Sequence, residues 1–332
     1  MNRLLGLTIL FLLLACGACT RSHSQMPPAQ THPVDLQLPL HLPFHFVVFG
    51  DTRFTDPGDT EASNAEVRRT LVQAIADVHP AFISIGGDIA YNGQDANDWK
   101  VWDRETAVWR ADHTPVFPAL GNHDLHGDAN TALANYFQRF PDLKNSRYYS
   151  VRAANILLLV LDSSLDELSG PQGEWLAHQF DTLDPAVEFV VIVLHHPPYT
   201  SSSDTKKYGG GHSARPQEQA LAHDLETRQQ HLRARIVVFS GHVHNYERHQ
   251  HGGVTYFVTA GGGAHAYPIE RAPDDPFQSK EVNYHYLLVG VDHGKMQVTM
   301  NRVQLTNRKA TWTQPDEASI AVPAAAKAAA SR

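Results

Sequence analysis

Five short segments carry side chains suited to chemistry: Gly50-Asp51-Thr52-Arg53, Gly87-Asp88-Ile89-Ala90-Tyr91, Gly121-Asn122-His123-Asp124, Val193-Leu194-His195-His196 and Gly241-His242-Val243-His244. Each mixes oxygen and imidazole donors, and most follow an apolar run. One such segment is weak evidence, since polar turn residues commonly follow strands. Five in one chain supply donors for two cations side by side. Two metal ions about 3.5–4 Å apart neutralise phosphate oxygens, hold the group in line and lower the pKa of a bridging water. The chemistry to expect is phosphate ester hydrolysis. A mixed oxygen and imidazole shell suits Zn, Mn or Fe better than Ca.

These donors need elements to position them. Phe44 to Phe49 is a β-branched and aromatic run that ends at a Gly-Asp turn, so it reads as a strand. Ala62 to His79 has helical spacing and stops before Pro80. Ala81 to Ile85 reads as a buried strand, Trp99 to Arg110 as a helix, and Pro115 to Leu120 leads into Asn122. Asn130 to Phe140 is helical, Tyr148 to Val151 and Ile156 to Leu161 form a hairpin, and Gly173 to Leu183 is a helix. Phe189 to Leu194 is a strand, Gln217 to Arg233 a long helix and Ile236 to Phe239 a strand. Val254 to Thr259, Tyr286 to Val291 and Met296 to Val303 close the pattern as strands. The repeating unit is strand, polar loop, helix, with no internal sequence repeat. In open α/β sheets, ligand sites form beyond the carboxyl ends of strands. Asp51, Asp88, Asn122, His195 and His242 all fall at such ends.

The bulk composition sets limits. With 332 residues, 42% hydrophobic and 19% charged, the chain is an ordinary globular protein. Its net charge of -8 offers no global field for nucleic acid, so attraction for phosphate must be local. The 21 histidines make any lone histidine uninformative. The two cysteines, Cys16 and Cys19, lie near the amino terminus, which leaves His, Asp, Asn and Tyr as the ligand menu.

Residues 1–16 read as an export signal: a basic start, then an apolar run from Leu4 to Ala15. That run is shorter than the ~20 residues of a membrane span. Leu13-Leu14-Ala15-Cys16 resembles a bacterial lipobox, in which Cys16 is lipidated; Cys19 follows a poorer match. This implies a lipid anchor in the bacterial cell envelope, facing the periplasm or on the outer membrane. The alternative is a cleaved signal and a soluble periplasmic or secreted protein. Residues 17–43 read as a flexible tether, 44–315 as the catalytic domain, without a long β-sandwich domain ahead of it, and 316–332 as a low-complexity alanine-rich tail.

The five segments, in this order over roughly residues 44 to 265, resemble the calcineurin-like metallophosphoesterase superfamily. Gly-Asn-His-Asp together with Gly-His-x-His is its specific signal. The resemblance implies an α/β fold of two central mixed β-sheets packed as a sandwich and flanked by helices. It makes Asp88 the bridge between two metals. Asp51 and His244 would bind the first metal, and Asn122, His195 and His242 the second. His195 and His196 are both suitable ligands by composition; the resemblance selects His195 and leaves His196 beside the substrate. His123 would protonate the leaving group, oriented by Asp124.

Arg53 departs from the pattern, because many members carry a metal-binding histidine there. Arginine has no lone pair to offer. Tyr91 is the expected replacement, since Gly-Asp-x-x-Tyr matches purple acid phosphatases, whose tyrosinate binds ferric iron; the other reading makes it an aromatic neighbour and completes the metal with water. The implied cofactors are two metal ions, Fe3+ with Fe2+, Zn2+ or Mn2+. Two roles are open to Arg53, a donor to the phosphate and a supporting salt bridge. His265 and His212 are further candidates to approach the site, and two readings are open for Thr200 to Ser213, a substrate-side loop and a plain solvent loop. Gly209 to Gly211 lacks the Lys-Ser/Thr of a nucleotide-binding loop.

The expected activity is therefore an exported phosphomonoesterase acting on a small phosphorylated substrate. The alternatives are a phosphodiesterase or nucleotide hydrolase of the same superfamily, and a catalytically inactive metal- or phosphate-binding envelope protein. No nucleic-acid partner is expected.

Overall fold

The structure is a computed structural model that describes residues 33–204 and 212–323. The readings placed on the export signal with Cys16, on Gly209 to Gly211 and on the final alanine run lie outside the described residues. Among those residues, no helix is long and apolar enough to cross a membrane.

In chain order the elements are β1 (Asp35–Leu38), β2 (Phe44–Phe49), α1 (Ala65–Asp77), β3 (Ile83–Ile85), α2 (Ala96–Glu105), α3 (Ala107–Ala111) and β4 (Val116–Pro118). Then come α4 (Ala129–Arg139), β5 (Tyr149–Ala153), β6 (Ile156–Val160), α5 (Gly170–Asp181), β7 (Phe189–Leu194), α6 (Pro216–Gln229) and β8 (Arg235–Ser240). The chain closes with β9 (Tyr246–His251), β10 (Val254–Thr259), β11 (Tyr284–Asp292), β12 (Lys295–Thr306), β13 (Lys309–Thr313) and β14 (Glu317–Ala321).

These strands form two mixed seven-stranded sheets. One runs β1-β5-β6-β7-β8-β10-β9; the other runs β13-β12-β11-β2-β3-β4, with β14 paired to β12. The α/β sandwich implied by the resemblance is present. Its cause is visible in β6, β7 and β8, which are apolar on both faces. Val191, Val193, Val237 and Phe239 join the large core that also holds the second sheet, while Val190, Ile192, Ile236 and Val238 pack under α5 and α6. Two-sided burial is why these strands read as continuous apolar runs. Helices α1, α2 and α4 each start at a side-chain cap, Asn64, Asp95 and Asp128, that accepts a backbone N–H of the first turn.

Several boundaries differ from the sequence reading. Residues 35–38 do not belong to a tether: Leu36 and Leu38 alternate with polar neighbours, and β1 pairs in parallel with β5. The tail begins with a strand, since β14 buries Ala318 and Ile320 and pairs with β12. The helix expected over Trp99 to Arg110 is two helices, because the buried Thr106 hydroxyl donates to the Trp102 carbonyl at 2.7 Å and ends α2 there. Strand β9, Tyr-Glu-Arg-His-Gln-His, has no apolar pattern; it pairs with β10 through the Gly252-Gly253 turn.

Candidate metal centre

Strands β2, β3 and β4 are parallel in one sheet, and β7 and β8 are parallel in the other. Asp51, Asp88 and Asn122 follow the first three; His195 and His242 follow the last two. The carboxyl edges of both sheets thus meet over one site, as the sequence pattern anticipated. The backbone bends sharply there. Asp51, Arg53, Asp88 and His242 all have positive φ, at 59°, 44°, 53° and 70°, a conformation uncommon for non-glycine residues that clusters at functional sites. The glycines of the motifs allow close approach. A Cβ on Gly121 would lie 2.3 Å from Asp88 Oδ1, and one on Gly241 would lie 2.5 Å from Asp51 Oδ2.

Asp88 is buried and central. Its Oδ1 accepts the His123 N–H at 2.8 Å and lies 3.4 Å from His195 Nε2. Its Oδ2 faces the Arg53 guanidinium. Burial opposes its charge, yet His195, Arg53 and the His123 amide hold its pKa below the usual carboxylate range. Asp51 is also buried, and burial followed by the charge of Asp88 raises its pKa well above normal. Two carboxylates this close repel each other unless cations lie between them.

The imidazoles are oriented from behind. His195 Nδ1 is 2.9 Å from the Gly86 carbonyl, so that nitrogen carries the proton and Nε2 presents its lone pair. That lone pair faces Asn122 Oδ1 at 3.0 Å and His242 Nδ1 at 3.2 Å, and Asn122 Oδ1 lies 3.1 Å from His242 Nδ1. His244 Nδ1 is held by the His265 carbonyl at 2.9 Å, and its Nε2 lies 3.5 Å from Asp51 Oδ1. Among the described residues that buried Nε2 has no hydrogen-bond partner. Burial lowers the pKa of His195, His242 and His244, the last to about 3, so all three are neutral ligands at neutral pH. Lone pairs converging on carboxylates, without protons to separate them, fit cations. Atoms of His195, His196 and His242 form one group that could hold an ion; atoms of Asp51, Asp88 and His195 form another.

Other expected residues take specific places. His196 Nδ1 is 2.8 Å from the Ser163 hydroxyl, and its ring lies 4.4 Å from that of His242. His123 Nδ1 is 2.7 Å from the Tyr91 carbonyl, which leaves Nε2 free. Asp124 does not orient His123. Its carboxylate instead accepts the N–H groups of Ile89, Ala90 and Gly121 at 2.9 to 3.0 Å, clamping the Asp88 loop to the Asn122 loop. The Tyr91 ring stacks on His123 with centroids 5.3 Å apart. His212 reaches the site, its ring 4.2 Å from that of His242. The His265 ring turns to the Thr60 carbonyl and only its backbone oxygen serves the site. Thr200 and Ser201 of the expected substrate-side loop are pinned to Glu247. Sequence reasoning missed Ser163, Gly86 and the carbonyls of Tyr91 and His265. Backbone carbonyls carry no residue-type signal, and serine is common.

The family pattern of calcineurin-like phosphoesterases matches residues 44–246, well over half of the chain. The chain belongs to the calcineurin-like phosphoesterase family. The family implies a dinuclear metal site and metal-dependent phosphoester hydrolysis. Similar structures include a purple acid phosphatase, PPD1, from yellow lupin, at 18% identity and a TM-score of 0.61 over 85% of this chain and 54% of that one. They include GAP50, the anchor in the inner membrane complex of Plasmodium, at 15% identity and 0.61 over 85% and 90%. A dimetal phosphatase from Danio rerio matches at 15% identity and 0.54 over 84% and 99%. At these identities they show a shared fold. This calcineurin-like phosphoesterase spans about half the length of the lupin enzyme.

Proposed function

We propose that this chain is an exported binuclear-metal phosphomonoesterase acting on small phosphorylated substrates outside the cytoplasm, from the export signal read in residues 1–16. The observation that carries the catalytic reading is the buried His244 Nε2, which has no hydrogen-bond partner among the described residues and lies 3.5 Å from the Asp51 carboxylate, whose pKa burial raises. Such an arrangement is costly in an empty protein and favourable around a cation.

Asp88 Oδ1, Asn122 Oδ1, His195 Nε2 and His242 Nδ1 would hold one ion. Asp51, His244 Nε2 and Asp88 Oδ2 would hold the other, with Tyr91 as a further oxygen donor. Bound ions of this kind polarise the phosphoryl group and lower the pKa of water. The protein's own task is placement. The carbonyls of Gly86 and His265 fix the tautomers of His195 and His244, and the Asp124 clamp sets the spacing between Asp88 and Asn122. His123, with Nδ1 tied to the Tyr91 carbonyl, would give a proton from Nε2 to a leaving alkoxide as the imidazolium, a form that burial confines to acid pH by lowering its pKa to about 4. His196 and His212 line the His242 side, where a substrate's ester group would sit.

The test is Asp88→Asn with a panel of phosphate monoesters, diesters and nucleotides. Loss of bound metal and of all turnover supports the reading; retained turnover refutes it. A wild-type protein that hydrolyses diesters and spares monoesters replaces monoesterase by phosphodiesterase.

A further inference from the structure

The guanidinium of Arg53 lies against Asp88, with Nε 3.4 Å and Nη2 3.3 Å from Oδ2. The other oxygen, Oδ1, faces His195 and the His123 amide. The carboxylate expected to bridge two ions is therefore divided between an ion position and an arginine. On the Asn122 side four donors converge. On the Asp51 side Arg53 faces the Asp88 oxygen, leaving Asp51, Tyr91 and His244 Nε2, which has no hydrogen-bond partner among the described residues.

Arg53 is not a drifting surface chain. Its side chain is 17% exposed. Its N–H donates to the Asp88 carbonyl at 3.0 Å. Its carbonyl accepts from the Ser63 hydroxyl at 3.2 Å and from Arg68 Nη1 at 3.0 Å. Arg68 is itself fully buried and paired with Glu105 at 2.9 Å. The φ of 44° at Arg53 completes a fixed base from which the guanidinium reaches Asp88. A guanidinium cannot lose a proton to become a ligand, and its charge repels a divalent ion placed against the same oxygen.

We propose that Arg53 is a built-in competitor for the cation of the Asp51–His244 position. An ion beside Asp51 and His244 binds only when the guanidinium leaves Asp88 Oδ2. The two positions therefore fill in order, the Asn122–His195–His242 position tightly and the Asp51–His244 position weakly. This rests on the metal-dependent reading above.

The test is titration of the metal-stripped protein with Mn2+, followed by calorimetry and electron paramagnetic resonance. Wild type is expected to bind one tight ion and a second at least about tenfold more weakly, roughly 1.4 kcal/mol or more. At one equivalent its spectrum is that of an isolated Mn2+. Arg53→Ala is expected to tighten the second ion at least about tenfold, leave the first unchanged and show spin coupling at two equivalents. Arg53→Gln serves if the alanine variant misfolds. Two equally tight ions in wild type overturn the proposal, as does an unchanged second affinity in the variants. Failure to bind any ion overturns the metal-dependent reading along with it.

Discussion

The carboxylate of Asp51 accepts the backbone N–H of His242 on both oxygens, at 3.1 and 3.0 Å. Asp51 follows β2 and His242 follows β8, so this contact joins the functional edges of the two sheets. It shows the site to be a seam between the two sheets.

Asp51→Asn keeps an acceptor for that N–H and removes one of two repelling carboxyl groups. The metal-free variant should melt at or above the wild-type temperature, while its affinity for the second-filling ion falls at least about tenfold. Differential scanning calorimetry and metal titration check this pair. A marked loss of apo stability would mean that Asp51 and Asp88 do not repel in the folded protein.

Gly121→Ala should be damaging in both respects. Its Cβ would meet Asp88 N at 2.2 Å and Oδ1 at 2.3 Å. Overpacking of this kind costs about 1–3 kcal/mol, and it displaces the central carboxylate. Chemical denaturation and metal analysis should both report the change; a wild-type midpoint with full metal content contradicts the packing account.

His123→Asn should lower turnover of alkyl phosphates about 100-fold to 10 000-fold while metal content stays near wild type. The deficit should shrink for p-nitrophenyl phosphate, whose leaving group needs no proton. An equal loss for both substrates would remove His123 from proton transfer.

Tyr91 yields a spectroscopic prediction. Loaded with ferric iron, the wild type should absorb visible light through tyrosinate charge transfer, and Tyr91→Phe should be colourless. A colourless ferric wild type confines Tyr91 to its stacking contact with His123.

Burial pushes the His285 pKa down to about 4. Its nitrogens contact the Asn283 carbonyl at 2.9 Å and the Thr259 hydroxyl at 3.0 Å. The unfolded chain takes up a proton near pH 6.5, but the folded protein does so only near 4. Stability from this group is therefore complete above 6.5 and lost as pH falls toward 4, up to about 3 kcal/mol. His285→Gln should flatten the fall of melting temperature over that range; an identical slope in both proteins contradicts the assignment.

Much of the site was legible because its ligands follow apolar strands, and a strand end is readable from periodicity and a Gly-polar turn. Asp51, Asp88, Asn122, His195 and His242 converge for that reason. Their orientation was not legible: the proton on His195 is set by the Gly86 carbonyl, and backbone atoms leave no trace in residue type. Asp124 misled because the resemblance paired it with His123, whereas its carboxylate accepts three backbone amides. Strands β1, β9, β13 and β14 were missed because each lies at or near a sheet edge and draws its stability from a neighbour rather than its own pattern.

The most direct measurement is hydrolysis of a phosphate monoester by the purified protein before chelation, after complete metal removal and after metal is restored. Activity lost on removal and recovered on addition of Mn2+, Zn2+ or Fe2+ is the predicted result. Hydrolysis that persists without metal, or none under any metal condition, contradicts the account.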